Sequence, residues 1–177
     1  MRDARQRCSR ELFTITLSRD AARLMGGRGS VLVSAKHAKE FIMGIPLSTH
    51  VRTRFEDAVT RTREALAQQG FGVLTEIDLK ATLEAKLGVD IEDYLILGAC
   101  NPALAHRAIS VDREIGLLLP CNVLVRADLD DPGMVIIEAM NPAILVEVTG
   151  EPALIAIADE VTTKLGAAIG SLASCGA

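Results

Sequence analysis

Cys100 stands immediately before Asn101-Pro102, a pair that opens helices. The asparagine amide caps free backbone N–H groups, and a proline in the first turn lacks an N–H that would go unpaired anyway. A thiol placed there meets the partial positive charge of a helix N-terminus, which favours the thiolate, a nucleophile and a soft metal ligand. His106, six residues further along the same expected helix, is spaced to serve as base or ligand. Pro120-Cys121-Asn122 interrupts an apolar run, and because proline cannot donate to a sheet ladder the triplet predicts a bulge or an edge that aims side chains at a pocket. Glu76 is a further candidate acid or base, provided that its strand face is buried and its carboxyl pKa raised.

These residues support two kinds of chemistry. A small-ligand or metal-binding module would line its site with Cys100, Asn101, His106, Cys121 and Asn122, the metal version drawing on Cys100, His106 and Cys121. A thiol-dependent enzyme or redox protein would use Cys100 as nucleophile, His106 or Glu76 as base and Cys121 as resolving thiol. Each residue also has a plainer role. Free cysteine is among the most buried residue types, so both thiols fit simple core packing. His106 fits an exposed helix position, and Asn122 an amide that bridges a broken ladder. A third class, a dimeric structural or interaction module, needs the motifs only for folding. No Walker loop, GxGxxG, HExxH, GxSxG or zinc-finger spacing occurs, so no cofactor is implied and enzyme and binder both stay open.

The elements that must position these residues are legible from Met43 onward. Ile45–Val51 reads as a strand. Thr53-Arg54-Phe55-Glu56 reads as a capping box, after which Phe55, Ala58, Val59, Thr62 and Leu66 share one helical face that Gly70 closes. Phe71–Ile77 alternates as a strand. Asp78 caps a second helix carrying Leu79, Leu83 and Leu87, which ends at Gly88. Tyr94–Ala99, Ile115–Arg126 and Gly133–Met140 read as further strands, and a last helix runs from about Pro152 to about Ser174. The segment Ala99-Cys100-Asn101-Pro102-Ala103-Leu104 is echoed by Ala139-Met140-Asn141-Pro142-Ala143-Ile144, both copies following an apolar strand. Methionine replaces the thiol in the second copy. The punctuation does not need the cysteine.

Composition bounds the partners. The 177 residues are 49% hydrophobic and 24% charged, enough for one globular α/β domain. Residues 1–42 carry nine Lys/Arg against four Asp/Glu, and residues 43–177 carry ten against nineteen. An acidic body with only four Phe, one Tyr and no Trp offers neither phosphate attraction nor a base-stacking platform, which excludes nucleic acid as its partner. No apolar run is long enough to span a membrane. Cys8, Cys100, Cys121 and Cys175 form no CxxC pair and no dense secreted-type framework, which places the protein in the cytoplasm with reduced thiols. Residues 1–42 show no sustained period and are expected to be poorly ordered: a basic arm, a leader, or the product of a start assigned ahead of Met43. Residues 43–177 form the single globular domain.

Three separated motifs carry a resemblance. They are Gly70-Phe71-Gly72-Val73-Leu74-Thr75-Glu76-Ile77-Asp78, then Leu97-Gly98-Ala99-Cys100-Asn101-Pro102 with Ala105-His106, then Ile115-Gly116-Leu117-Leu118-Leu119-Pro120-Cys121-Asn122-Val123. In this order they resemble the prokaryotic family catalogued as domain of unknown function 302, from about Ile45 to about Ser174. The resemblance implies an α+β domain with a helix-backed, mainly antiparallel sheet, similar in topology to one repeat of the TATA-box-binding protein. It also implies a homodimer. It implies no reaction, and topological kinship carries no DNA binding with it.

Overall fold

The structure, a computed structural model, describes Leu47–Ala173. The basic segment 1–42, with Cys8 and His37, and Cys175 near the other end lie outside the described residues. Five strands form one antiparallel sheet in the order β1-β5-β4-β3-β2, with β1 Leu47–Arg52, β2 Gly72–Asp78, β3 Tyr94–Cys100, β4 Cys121–Ala127 and β5 Met134–Ala139. The helices are α1 Phe55–Gln68, α2 Leu79–Leu87, α3 Pro102–Val111, α4 Ile144–Thr149 and α5 Ile155–Ala173. Short 3-10 turns at Arg113–Leu118 and Pro152–Leu154 complete the chain. The helix-backed, antiparallel α+β class expected from the sequence is the class observed.

Alternation sorts the sheet into two faces. In register across the strands, Leu97 lies opposite Val123, Val123 opposite Ala139, and Val125 opposite Ile137. All of these are fully buried, against Ala58, Thr62 and Leu66 of α1 and Val161, Leu165 and Ile169 of α5. On the other face Ile96, Leu124 and Glu138 form a row, as do Tyr94, Arg126 and Ile136. Ile77, Ile96 and Leu124 there keep contact with solvent. Helix α2 is bracketed by local chemistry: Asp78 accepts from the Ala81 N–H at 2.8 Å, and Gly88 takes the left-handed φ of +66° that ends it.

Four local expectations are corrected. The capping box at Thr53 does not form. Helix α1 begins one residue later, with Arg54 at its N-cap, and the Arg54 guanidinium instead holds Asp57 through two 2.9 Å hydrogen bonds. The strand expected over Ile115–Arg126 starts only at Cys121, because Arg113–Leu118 winds into a 3-10 helix that buries Ile115. Pro120 marks neither a bulge nor an edge. It precedes the first residue of β4, the central strand, where its missing N–H costs no ladder bond. The sheet's irregularity falls in edge strand β2, between Val73 and Thr75. Finally, the two Asn-Pro copies differ: Asn101 caps α3, whereas Asn141 accepts from the Ala143 N–H in a local turn before α4.

Candidate functional site

Strand β3 ends at Cys100 and β4 begins at Cys121, and the pairing of Ala99 with Cys121 sets the two residues on adjacent strands, one residue apart in register, so that alternation gives their side chains to opposite faces of the sheet. Both line a single cavity of about 20 Å³. Asn101 lines it as well, and the remaining walls are apolar: Phe71 from the turn before β2, Leu104 from α3, Leu119, Leu145 from α4, and Ile157 and Val161 from α5. The Asn101 amide is already engaged, its Oδ1 accepting from the Leu104 N–H at 3.3 Å. Its Nδ2 comes within 3.0 Å of where a side chain on Gly70 would begin, and Gly70 holds φ at +80°. Only glycine suits that position.

The other sequence candidates lie elsewhere. Leu104 and Ala108 turn inward from α3, so His106, midway between them, is carried round to solvent. Asn122 alternates with Cys121 and is exposed on the opposite sheet face, in register with Gly98. Glu76 is exposed and bound to Arg63 at 2.6 Å, and so is neither buried nor free to act as a base. Among the described residues no group of three or more His, Cys, Asp or Glu is placed to hold a metal ion. The set Cys100, His106 and Cys121 therefore does not assemble. The cavity's apolar half was not legible at all in the sequence, since Phe71, Leu119 and Leu145 come from segments far apart in the chain. The one local signal was Gly70, whose turn delivers Phe71. A larger open hollow of about 480 Å³ lies against α5 beside Gln69, but none of the candidate residues lines it.

The model of the family described as domain of unknown function DUF302 matches residues 47–172. This chain belongs to the DUF302 family. The matched span takes in every element that lines the cavity and leaves the basic segment outside. The DUF302 domain is also similar to the crystal structure of an uncharacterized conserved protein DUF302 from Bacillus stearothermophilus. That likeness has 31% sequence identity and a TM-score of 0.63, covering 70% of this chain and 94% of the other. No curated protein matches.

Electrostatics at the cavity of this DUF302 domain run against an activated thiol. Burial raises the Cys100 pKa, opposite in direction to the lowering expected from a helix N-terminus. Burial, with a further push from the neighbouring Cys100, raises Cys121 to about 11. A thiol held protonated by the fold stabilises the native state below its unfolded pKa near 9, and that contribution is lost as pH rises through the folded value of about 11. The loss should be about 2–3 kcal/mol, at ~1.4 kcal/mol for each tenfold change in acidity. In urea unfolding, the stability difference between wild type and Cys121→Ala should therefore shift by that amount between pH 8 and pH 11, against the wild type. A difference that ignores pH would show that Cys121 is not desolvated as described.

Proposed function

We propose that this DUF302 domain is a homodimeric binding module that takes a small ligand or metal at the Cys100–Cys121 cavity. The observation that carries the reading is that Cys100, Asn101 and Cys121 line one otherwise apolar cavity. A thiol enzyme is the weaker reading. Its nucleophile would be a thiol that burial keeps protonated, and neither proposed base, His106 or Glu76, lines the cavity. The open face of the sheet supports the dimer. Tyr94, Ile96 and Leu124 are half-buried there beside Ile77, which is 47% exposed, giving an apolar strip that a second copy would cover. The acidic body makes nucleic acid an unsuitable partner, and reduced thiols suit a cytoplasmic protein. No helix among the described residues is long and apolar enough to cross a membrane.

Thiol labelling and native mass spectrometry test this together. At pH 7 Cys121 should react with an aromatic disulfide at least ~100-fold more slowly in the folded protein than in urea, from its thiolate fraction alone. The intact protein should fly as a dimer. Rapid labelling of Cys100 in the folded state would restore the thiol enzyme, and a monomer would remove the dimer.

A further inference from the structure

The geometry points to a second binding site in the open hollow of about 480 Å³ against α5, with a small zwitterion carrying one ammonium and one carboxylate as its ligand. That volume lies within the range of small-molecule sites. The site is independent of the Cys100–Cys121 cavity, since no residue lines both. Gln69, directly after α1, lines the hollow together with Asp159, Glu160, Thr163, Lys164 and Ala167 of α5. Successive α-helical residues step about 100° around the axis, so Asp159 and Lys164 stand about 140° apart, with Thr163 and Ala167 between them. Two short side chains thus form the floor, and an acid and a base form opposite walls. Gln69 adds an amide that can both donate and accept.

The two walls carry the argument, because the protein itself matches neither charge. Among the described residues the Asp159 and Lys164 side chains make no ion pair or hydrogen bond, with each other or with any neighbour. Lys164 has the usual helical partner at hand, since Glu160 sits one turn before it, in the order that favours a pair. That partner is taken. Arg107 of α3 donates to the Glu160 carboxylate at 2.6 Å. The Thr163 hydroxyl donates to the Asp159 carbonyl at 2.9 Å, and its oxygen can still accept. The hollow therefore presents an unmatched carboxylate and an unmatched ammonium on either side of its floor. A singly charged ligand would leave one of them unmatched. A zwitterion lying across the floor matches both, its ammonium at Asp159 and its carboxylate at Lys164. Arg107 lies outside the hollow and is a positioning residue, because it keeps Glu160 off Lys164.

The test titrates the full chain, labelled with nitrogen-15, at neutral pH with glycine, β-alanine and 4-aminobutyrate, zwitterions of increasing span. Butyrate and butylamine are the single-charge controls. At least one zwitterion should shift the amide resonances of Gln69 and of Asp159 to Ala167 saturably, with a Kd of about 1 mM or tighter. Each control should bind at least ~5-fold more weakly than that zwitterion. Asp159→Asn and Lys164→Gln should each weaken its binding at least ~5-fold, and both side chains keep solvent contact, so the variants should keep the fold. Arg107→Ala should weaken it about twofold, because Glu160 then competes for Lys164, and adding Glu160→Gln should restore it. The site is overturned by the absence of any saturable shift up to about 20 mM, or by equal binding of a single-charge control. Binding that survives both Asp159→Asn and Lys164→Gln overturns it as well.

Discussion

Gly98→Ala is expected to destabilise the domain by about 1–3 kcal/mol, and Gly98→Val by more, whereas Gly72→Ala should change stability by less than about 0.5 kcal/mol. Both glycines lie in strands, so backbone propensity does not separate them. Space does. A Cβ on Gly98 would overlap Thr75 Oγ1 and come within 2.7 Å of Pro120 Cγ, while a Cβ on Gly72 would meet nothing within 4 Å. The threonine hydroxyl can rotate, but the proline ring cannot move without shifting the start of β4, and with it Cys121. Thr75→Ala placed in the Gly98→Ala background should therefore recover part of the loss and leave the share that belongs to Pro120. Equal melting temperatures for Gly98→Ala and Gly72→Ala would show that the contact between Thr75, Gly98 and Pro120 is not close. Since part of the strain falls on Pro120, the residue before Cys121, Gly98→Ala should also speed Cys121 labelling.

The parts of this fold that the sequence made legible are those decided within one or two turns of chain. Asp78 and Gly88 bracket α2 by their own chemistry, and the apolar positions Leu154, Val161, Leu165, Ile169 and Leu172 all face inward along the last two elements, as their spacing requires. Local signals failed where two local solutions compete. Thr53 offers a cap to α1, but Arg54 and Asp57 already form a closed pair one residue on, and the Thr53 N–H donates instead to the Gly133 carbonyl. Leu117 and Leu118 read as strand by hydrophobicity, yet Asp112 accepts from the Glu114 N–H and turns the chain into a 3-10 helix first.

The candidate site was legible in its thiols and in the Asn101 cap, and in little else. The helix start after Cys100 is local and visible in the sequence, whereas the burial that raises its pKa comes only from tertiary packing. His106 and Asn122 were placed by spacing along the chain, but helix rotation and strand alternation turn both away from the thiols. Glu76 depended on which face of β2 is covered. An edge strand next to α1 gave it Arg63 as a partner and left it in solvent.

Leu165→Ala should lower unfolding free energy by about 2–5 kcal/mol, the usual cost of removing a fully buried leucine whose surroundings relax only partly. Leu165 is 0% exposed in α5, where that helix packs on α1 and the sheet, and α1 presents the equally buried Leu66 and Thr62. Ile155, in the first turn of the same helix, is 48% exposed, and its alanine variant should lose less than ~1 kcal/mol. Urea unfolding of the three proteins, with a common slope, measures the contrast directly. The effect should extend to the cavity, because Ile157 and Val161 of α5 form part of its wall. A helix held less firmly opens more often, so Cys121 should label faster in Leu165→Ala than in Ile155→Ala under native conditions. If the two variants lose the same stability, α5 is not anchored through Leu165. If Leu165→Ala loses stability while Cys121 labelling stays as slow as in wild type, the cavity wall opens independently of the helix core.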